Sequence, residues 1–424
     1  VKQSIPSAGP FGSSRPLRIG FFGAFHPMSD RAGAASTGMA VLLALSSRVG
    51  RILVLGPRGA RPPDGIAMER AEVIGIWEPD RLGTLIRSLR ELTRRGSELD
   101  GYIFSIYPTA FGRRPMPNAF GLGMPVLVHW LTRRPVVVFM HNFVETQDLT
   151  KLGYDVSPIA LRAAAFLERR LGRRTRVAAG LRSQAETAEQ RLGVPVRWIP
   201  MRFVESVPGL LTGGAHGSEP HPAPPPGGPL RVLLFGTWGP QKDLIGALTA
   251  VRAEVNEGPG MHVTIAGGAN PNFPEYGRQL AALAAELPSS GFRFIGHVAD
   301  SDVPALFRSN DVLLLPYNAS GGYSGVMNLG AAYGIRVIAY DQPQLRECAA
   351  GLGLAAVFVP AGDGHALVRA LWDGRAGPAV PSSVEDPTEE RLQLARAGVE
   401  GLIDLLESDH PLGRRGPIRP EAGR

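Results

Sequence analysis

The sequence predicts an α/β protein made of two doubly wound parallel sheets that face a cleft. Three observations carry this. Short β-branched or aromatic runs alternate with segments of helical period from Leu17 to Pro200, and the alternation restarts at Leu230. Each series opens with a strand, a glycine-bearing loop and a helix, as LRIGFFGAF from residue 17 and LRVLLFGTW from residue 230. Between them, Pro208 to Pro229 is dense in proline and glycine and has no period, so it reads as an interdomain linker or a long surface loop. Ligands of open parallel sheets bind beyond the carboxyl ends of the strands, and two such domains place a cleft there.

Taken in order, residues 1–16 are expected to be disordered and residues 17–207 to form the first domain. Its predicted strands are 17–22, 51–55, 101–105, 135–140, 177–181 and 196–200, with helices at 36–46, 80–95, 117–131, 158–171 and 184–192. The second domain, 230–386, follows the 208–229 linker. Strands are predicted there at 231–235, 262–266, 292–295, 312–315, 336–340 and 356–359, and helices at 243–255, 276–287, 303–307, 325–333 and 365–372. A terminal helix over 387–408, with its periodic part at 389–406, can cross back to the first domain, and 409–424 is a basic, unstructured tail. No local repeat of 20–50 residues appears, which excludes a solenoid.

Individual elements have local reasons. Val312 to Leu315 is an uninterrupted apolar run, suited to a strand buried on both faces, and Pro316 ends it. The helix predicted from Gly325 is rich in Ala, Leu and Met, and Gly334 is a natural stop. Asp300-Ser301-Asp302 spells D-x-D, but it precedes a short helix, where Asp and Ser serve as caps. His141 ends the apolar strand VVVFM at a carboxyl end. Lys242 stands at a predicted helix start, where the dipole disfavours a cation unless an anion joins it. The loop from Tyr317 to Ser324 is small, polar and glycine-rich. Its Gly321 and Gly322 either make a tight turn or offer helix-start amides to a phosphate.

Composition narrows the function classes. With 44% hydrophobic and 20% charged residues, the chain reads as soluble and globular. A single cysteine, Cys348, excludes an internal disulfide and a cysteine-based zinc site, and fits a reducing cytoplasm. The first residues lack an apolar signal core, and no window holds about 18 uncharged apolar residues as a spanning helix requires. The longest candidate, Ala119 to Leu131, is too short and contains Pro125 and His129.

The net charge is +7 and the pI about 9.9. Arginines cluster at 113–114, 133–134, 169–170, 173–176 and 414–415. Such a face suits anionic lipid or phosphorylated ligands. Nucleic acid is not expected, since no recognition motif accompanies the charge. Arginine-rich codon usage is the alternative source of the bias.

From Leu230 to Leu371 the order and spacing of motifs resemble the retaining, nucleotide-sugar-dependent glycosyltransferases of the two-Rossmann-domain (GT-B) architecture, in the large family-4 group. LRVLLFGTWGPQKDLIGALTA, HVTIAGG, FRFIGHVADSDVPALFRSNDVLLLPY, SGVMNLGAAYGIRVIAYD and VFVPAGD carry the resemblance. LRIGFFGAF, VVVFMHN and VAAGLRSQAETAEQRLGVPVRWIPMRF match the first half more loosely.

The resemblance implies site roles. Lys242, with Gly236 and Thr237, would meet the donor diphosphate. Gly322 and the amides of Ser324, Gly325 and Val326 would hold its distal phosphate. Gly296 and Val298 would flank the base. His141 would lie at the transferred sugar, and Gly23 and Ala24 would place backbone against donor and acceptor, with His26 and Arg31 near the acceptor. The sequence also departs from the family pattern. The two glutamates usually set across the phosphate-loop helix are Gly321 and Leu329, with Asn328 beside the latter but about 100° away on a helix. An arginine is replaced by Thr237 and a proline by Arg336. Glu145 and Asp148 are the carboxylates nearest the predicted cleft in sequence.

The expected activity is transfer of a hexose or similar sugar from a nucleoside-diphosphate donor to an alcohol acceptor. No cofactor and no catalytic metal are expected. The acceptor would be a glycan or a lipid-linked intermediate of surface polysaccharide synthesis. The enzyme would be cytoplasmic, in peripheral contact with an anionic membrane at the inner face. The alternative is a non-catalytic GT-B protein that binds a nucleotide sugar or a partner. A nucleotide-sugar 2-epimerase on the same fold is a third reading, and it lacks the carboxylate pair such a reaction needs.

Overall fold

The structure is a computed structural model that describes residues 15–27, 31–112, 114–144, 157–200, 228–252, 254–256, 260–270, 273–319, 322–375 and 387–408. Glu145, Asp148, Gly321, the tail at 409–424, nearly all of the predicted linker and residues 1–14 lie outside them.

The strands form two sheets. The first holds β1 (Leu17–Gly23), β2 (Val49–Pro57), β3 (Ala71–Trp77), β4 (Gly101–Ile106), β5 (Val136–Met140), β6 (Arg176–Ala179) and β7 (Val196–Trp198), in the order β3-β2-β1-β4-β5-β6-β7. The second holds β8 (Leu230–Phe235), β9 (Met261–Ala266), β10 (Phe292–Gly296), β11 (Val312–Leu315), β12 (Arg336–Tyr340) and β13 (Ala356–Val359), in the order β10-β9-β8-β11-β12-β13. Every pairing is parallel. Each sheet therefore starts at its centre, winds outward to one edge, then crosses to the other side. This is the doubly wound architecture read from the alternation.

The two sheets share a pinning device. The Arg18 N–H donates to Asp100 Oδ2 at 2.9 Å, and the Arg18 guanidinium meets the same carboxylate. In the second sheet the Arg231 N–H donates to Asp311 Oδ2 at 2.8 Å, and the Arg231 guanidinium adds bonds of 3.0 and 2.5 Å. In both, the second residue of the central strand ties to the residue just before its neighbour (β4 or β11). That contact fixes the register of the pair.

Both faces of each sheet are covered. Along β1, Ile19 and Phe21 face one core and Phe22 the other, the alternation a pleated strand imposes. Gly20 leaves room for the Tyr102 ring, which a Cβ there would approach to 2.6 Å. One face packs on α1 (Arg31–Leu45), the other on α2 (Leu82–Arg94), α3 (Pro115–Thr132), α4 (Pro158–Arg174) and α5 (Arg182–Leu192). The second sheet carries α6 (Leu244–Val251), α7 (Pro274–Glu286), α8 (Val303–Arg308), α9 (Gly325–Ala332), α10 (Pro343–Gly351) and α11 (Gly364–Arg375).

The last helix, α12 (Pro387–Glu407), packs against the first sheet. Leu392, Ala395, Val399, Leu402, Ile403 and Leu406 recur at helical spacing and are buried in the core that holds Ile19 and Ile52. Burying each of the larger ones contributes about 1.5–3 kcal/mol. Arg48 binds Glu400, Asp404 and Glu407 along the same helix.

Some elements differ from expectation. β3 was not anticipated, since AEVIGIW is a part-exposed edge strand with few buried positions. α10 was not anticipated either, being short, proline-led and polar. The helix predicted over 243–255 ends at Val251, and a 3-10 turn follows at Glu254–Asn256. Asp302 is the N-cap of α8, with φ −95 and ψ −14, and its own side chain makes no capping bond.

Candidate functional site

The first-domain wall is built at the carboxyl ends of β1, β4 and β5. A Cβ on Gly23 would stand 2.8 Å from the Ser105 carbonyl oxygen, so only glycine allows β1 and β4 to close there. Ala24 follows, buried. His141 comes directly after β5. Its Nε2 lies 2.8 Å from Ser105 Oγ, which lies 2.6 Å from Ser36 Oγ. Both serines are buried. Phe139 and Tyr107 meet the imidazole edge-on. Burial pushes the His141 imidazole down to about 4, so the ring is neutral at pH 7. It can exchange hydrogen bonds with a sugar hydroxyl but carries no charge.

The second-domain wall begins with three glycines at neighbouring strand ends. Gly267 donates its N–H to the Gly296 oxygen at 2.5 Å. A Cβ on Gly267 would meet the Gly236 oxygen at 1.8 Å. Gly236, Gly267 and Gly296 all have positive φ, at 140, 102 and 65. Bare backbone is thus all that β8, β9 and β10 present at this edge, which lets a planar or phosphorylated ligand approach closely. Thr237 is exposed, and Val298 packs part-buried on the apolar cluster around Phe307.

Lys242 ends a 3-10 turn (Pro240–Lys242) directly before Asp243, the N-cap of α6, so it stands at the helix start as expected. The ammonium stands 5.7 Å from the Trp238 ring centre and 5.2 Å from that of Tyr317. Two aromatic faces therefore steer this cation. Asp243 accepts from the Gly246 N–H at 3.2 Å, and burial raises its carboxyl above the ordinary range. The loop after β11 is tied to this turn by the Ala319 N–H donating to the Gln241 oxygen at 3.3 Å.

That loop leads to α9. Ser324 is its N-cap, with Oγ accepting from the Met327 N–H at 3.3 Å. The amides of Gly325 and Val326 lie in the first turn, where no intrahelical acceptor exists. Gly334 adopts φ 64 just beyond the helix, as its role as a stop requires. Leu329 packs in the apolar cluster and Asn328 is fully buried. The position of the second family glutamate is thus an apolar contact.

The two walls touch. A Cβ on Gly322 would stand 2.7 Å from the His141 carbonyl oxygen. Gln184, in the first turn of α5, donates Nε2 to the same oxygen at 3.2 Å. Glu347 of α10 accepts from the Arg182 N–H at 2.5 Å and the Ser183 N–H at 3.1 Å, capping α5 from the other domain. His141 and the predicted phosphate turn, about 180 residues apart in sequence, are therefore neighbours. Sequence reasoning passed over Ser36, Ser105, Gln184, Tyr317 and Glu347. A serine closing the apolar strand YIFS and a tyrosine just after VLLLP were the available signals.

A cavity of about 560 Å³ lies elsewhere, at the amino ends of β1, β5 and β6, lined by His129, Arg133, Arg174, Arg176 and Glu407 among others. The chemistry-bearing residues named above are not in its wall. The carboxyl ends of the strands are where the doubly wound fold directs ligands, so the site is placed there.

Residues 229–373 match the family model described as glycosyl transferases group 1. Three solved structures share the fold over most of the chain. HepE from Anabaena, crystallised with UDP-glucose, is 14% identical with a TM-score of 0.58, covering 92% of this chain and 97% of that one. Sucrose-phosphate synthase from Thermosynechococcus elongatus is 14% identical with a TM-score of 0.57, covering 92% and 95%. WaaG, a glycosyltransferase involved in lipopolysaccharide biosynthesis, is 14% identical with a TM-score of 0.54, covering 92% and 96%. The fold is GT-B. No curated protein sequence matches the chain. Among the described residues, no helix of this GT-B protein is long and apolar enough to cross a membrane.

Proposed function

We propose that this protein transfers a sugar, a hexose or similar, from a nucleoside-diphosphate donor to an alcohol acceptor with retention at the anomeric carbon. The observation that carries the reading is the seating of Gly322 against the His141 carbonyl, which sets a helix-start phosphate turn beside a neutral histidine. The α9 amides and Lys242 stabilise the negative charge that develops on the leaving diphosphate. No metal ion has a part in that stabilisation. The His141 imidazole exchanges a hydrogen bond with a sugar hydroxyl, and Gly236 and Gly296 leave room for the nucleoside. HepE was crystallised with UDP-glucose on the same fold, which supports a nucleotide-sugar donor. The acceptor is a glycan or lipid-linked intermediate of surface polysaccharide synthesis, met in the cytoplasm at the inner membrane face.

A second reading is a GT-B protein that binds a nucleotide sugar, or a partner protein, without turnover. It is favoured by Leu329, whose apolar packing leaves no carboxylate where the family pattern has one. Incubation with UDP-, GDP- and ADP-sugars separates the two. Release of nucleoside diphosphate supports the enzyme, and binding without release supports the second reading.

A further inference from the structure

The first domain carries many arginines, and they fall into two populations. Arg48, Arg51, Arg58, Arg81, Arg94 and Arg95 each form an ion pair with a glutamate. On α4, the exposed Arg162, Arg169, Arg170, Arg173 and Arg174 form none among the described residues. The only acidic residue of α4, Glu168, is buried and accepts from the Val144 N–H at 2.8 Å. Arg169 and Arg173, like Arg170 and Arg174, are four apart and repel one another, so the helix carries a charge density it does not itself neutralise.

The same face is not simply a solvated one. Ile159 and Phe166 stand 79% and 55% exposed at i and i+7, so they share the arginines' side of the helix. The Arg170 guanidinium lies 5.1 Å from the Phe166 ring centre. Beside it, α3 packs along α4 and ends on Trp130 and Leu131, 68% and 51% exposed. The ends of the two helices adjoin, since His129 and Arg133 line one cavity with Arg174 and Thr175. Large apolar side chains interleaved with uncompensated guanidinium groups are the pattern of an interfacial helix.

We infer that the α3–α4 face is a docking surface for an anionic lipid bilayer. The arginines meet lipid phosphates while Phe166, Ile159, Trp130 and Leu131 enter the headgroup boundary. Nucleic acid would use the charge but give the apolar side chains no partner. The inference deepens the lipid-linked-acceptor part of the proposed function and rests on it for its purpose. Its test does not, because vesicle binding needs no nucleotide sugar.

The test is co-sedimentation of the full chain with vesicles of phosphatidylcholine alone and of equal parts phosphatidylcholine and phosphatidylglycerol. Binding is expected to the anionic vesicles only and to weaken with salt. Combined Arg162→Gln, Arg169→Gln and Arg173→Gln should weaken it about a hundredfold, near fivefold per charge. The corresponding three lysine replacements, which keep the charge, should retain it. Paired Ile159→Ser and Phe166→Ser should weaken it at every salt concentration. Equal binding to both vesicles, undiminished binding by the glutamine variant, loss in the lysine variant, or retention on duplex DNA with none on vesicles would each overturn the inference. Failure here leaves sugar transfer standing, and a protein that binds vesicles without releasing nucleotide leaves the docking surface standing.

Discussion

Acidification from pH 7 to pH 5 should weaken the folded protein through His141. In the unfolded chain this histidine titrates near the ordinary value of about 6.5. In the fold, burial pushes it down to about 4. The unfolded state therefore binds more protons between those two values. The stability this group supplies is fully present above about pH 6.5 and is lost as the pH falls toward 4. Between pH 7 and pH 5 this depression from about 6.5 to about 4 costs the fold about 2 kcal/mol. Carboxylates held low by arginine, such as Glu72 and Asp100, titrate further down and add their own loss mainly below pH 5. The clean comparison is His141→Gln, which keeps a polar group opposite Ser105 and does not titrate. Urea unfolding of both proteins at several pH values between 5 and 7 should show the wild type losing about 2 kcal/mol more than the variant. Histidine resonances assigned by that variant should show one ring still neutral at pH 5. A His141 resonance titrating near 6.5, or equal pH dependence of the two proteins, would refute the argument that the ring is desolvated and would remove the reason for treating it as an uncharged sugar contact.

Other consequences follow from single contacts. Gly322→Ala introduces a Cβ at 2.7 Å from the His141 oxygen, so nucleotide-sugar turnover should fall at least about tenfold with little change in unfolding midpoint, as a coupled assay and a thermal scan would show. Asp311→Ala leaves the Arg231 N–H and guanidinium without their acceptor and should destabilise the second domain by about 2–3 kcal/mol in denaturant titration. Glu347→Ala removes the cap that α5 receives from the other domain. It should cost about 0.5–2 kcal/mol of α5 stability, read as faster amide exchange at Arg182 and Ser183.

The fold was legible where strands are buried on both faces. LRIGFF, VVVFM and VLLLP announce themselves as apolar runs, and the structure places β1, β5 and β11 there. β3 was hidden because an edge strand needs little apolar surface, and AEVIGIW mixes Glu72 and Gly75 into its run. The glycines at 236, 296 and 322 could be picked out, since turns and close approaches demand that residue type. What they approach could not. The chain from Ser36 through Ser105 to His141 is assembled by three elements far apart in sequence, and the capping of α5 by Glu347 joins two domains. Such contacts follow from topology and leave no local pattern. Lys242 was recognisable as a cation near a helix start, but its place between Trp238 and Tyr317 depends on β11 lying next to β8.

Sugar transfer at this site requires Lys242 and the α9 amides to grip a diphosphate. Calorimetric titration of UDP, GDP and ADP into the wild type and into Lys242→Met measures this directly. At least one nucleotide should bind the wild type, and the variant should bind it about tenfold to a hundredfold more weakly, the loss of one charge-assisted contact of about 1.5–3 kcal/mol. Equal affinity for both proteins, or no binding of any of the three, would contradict it.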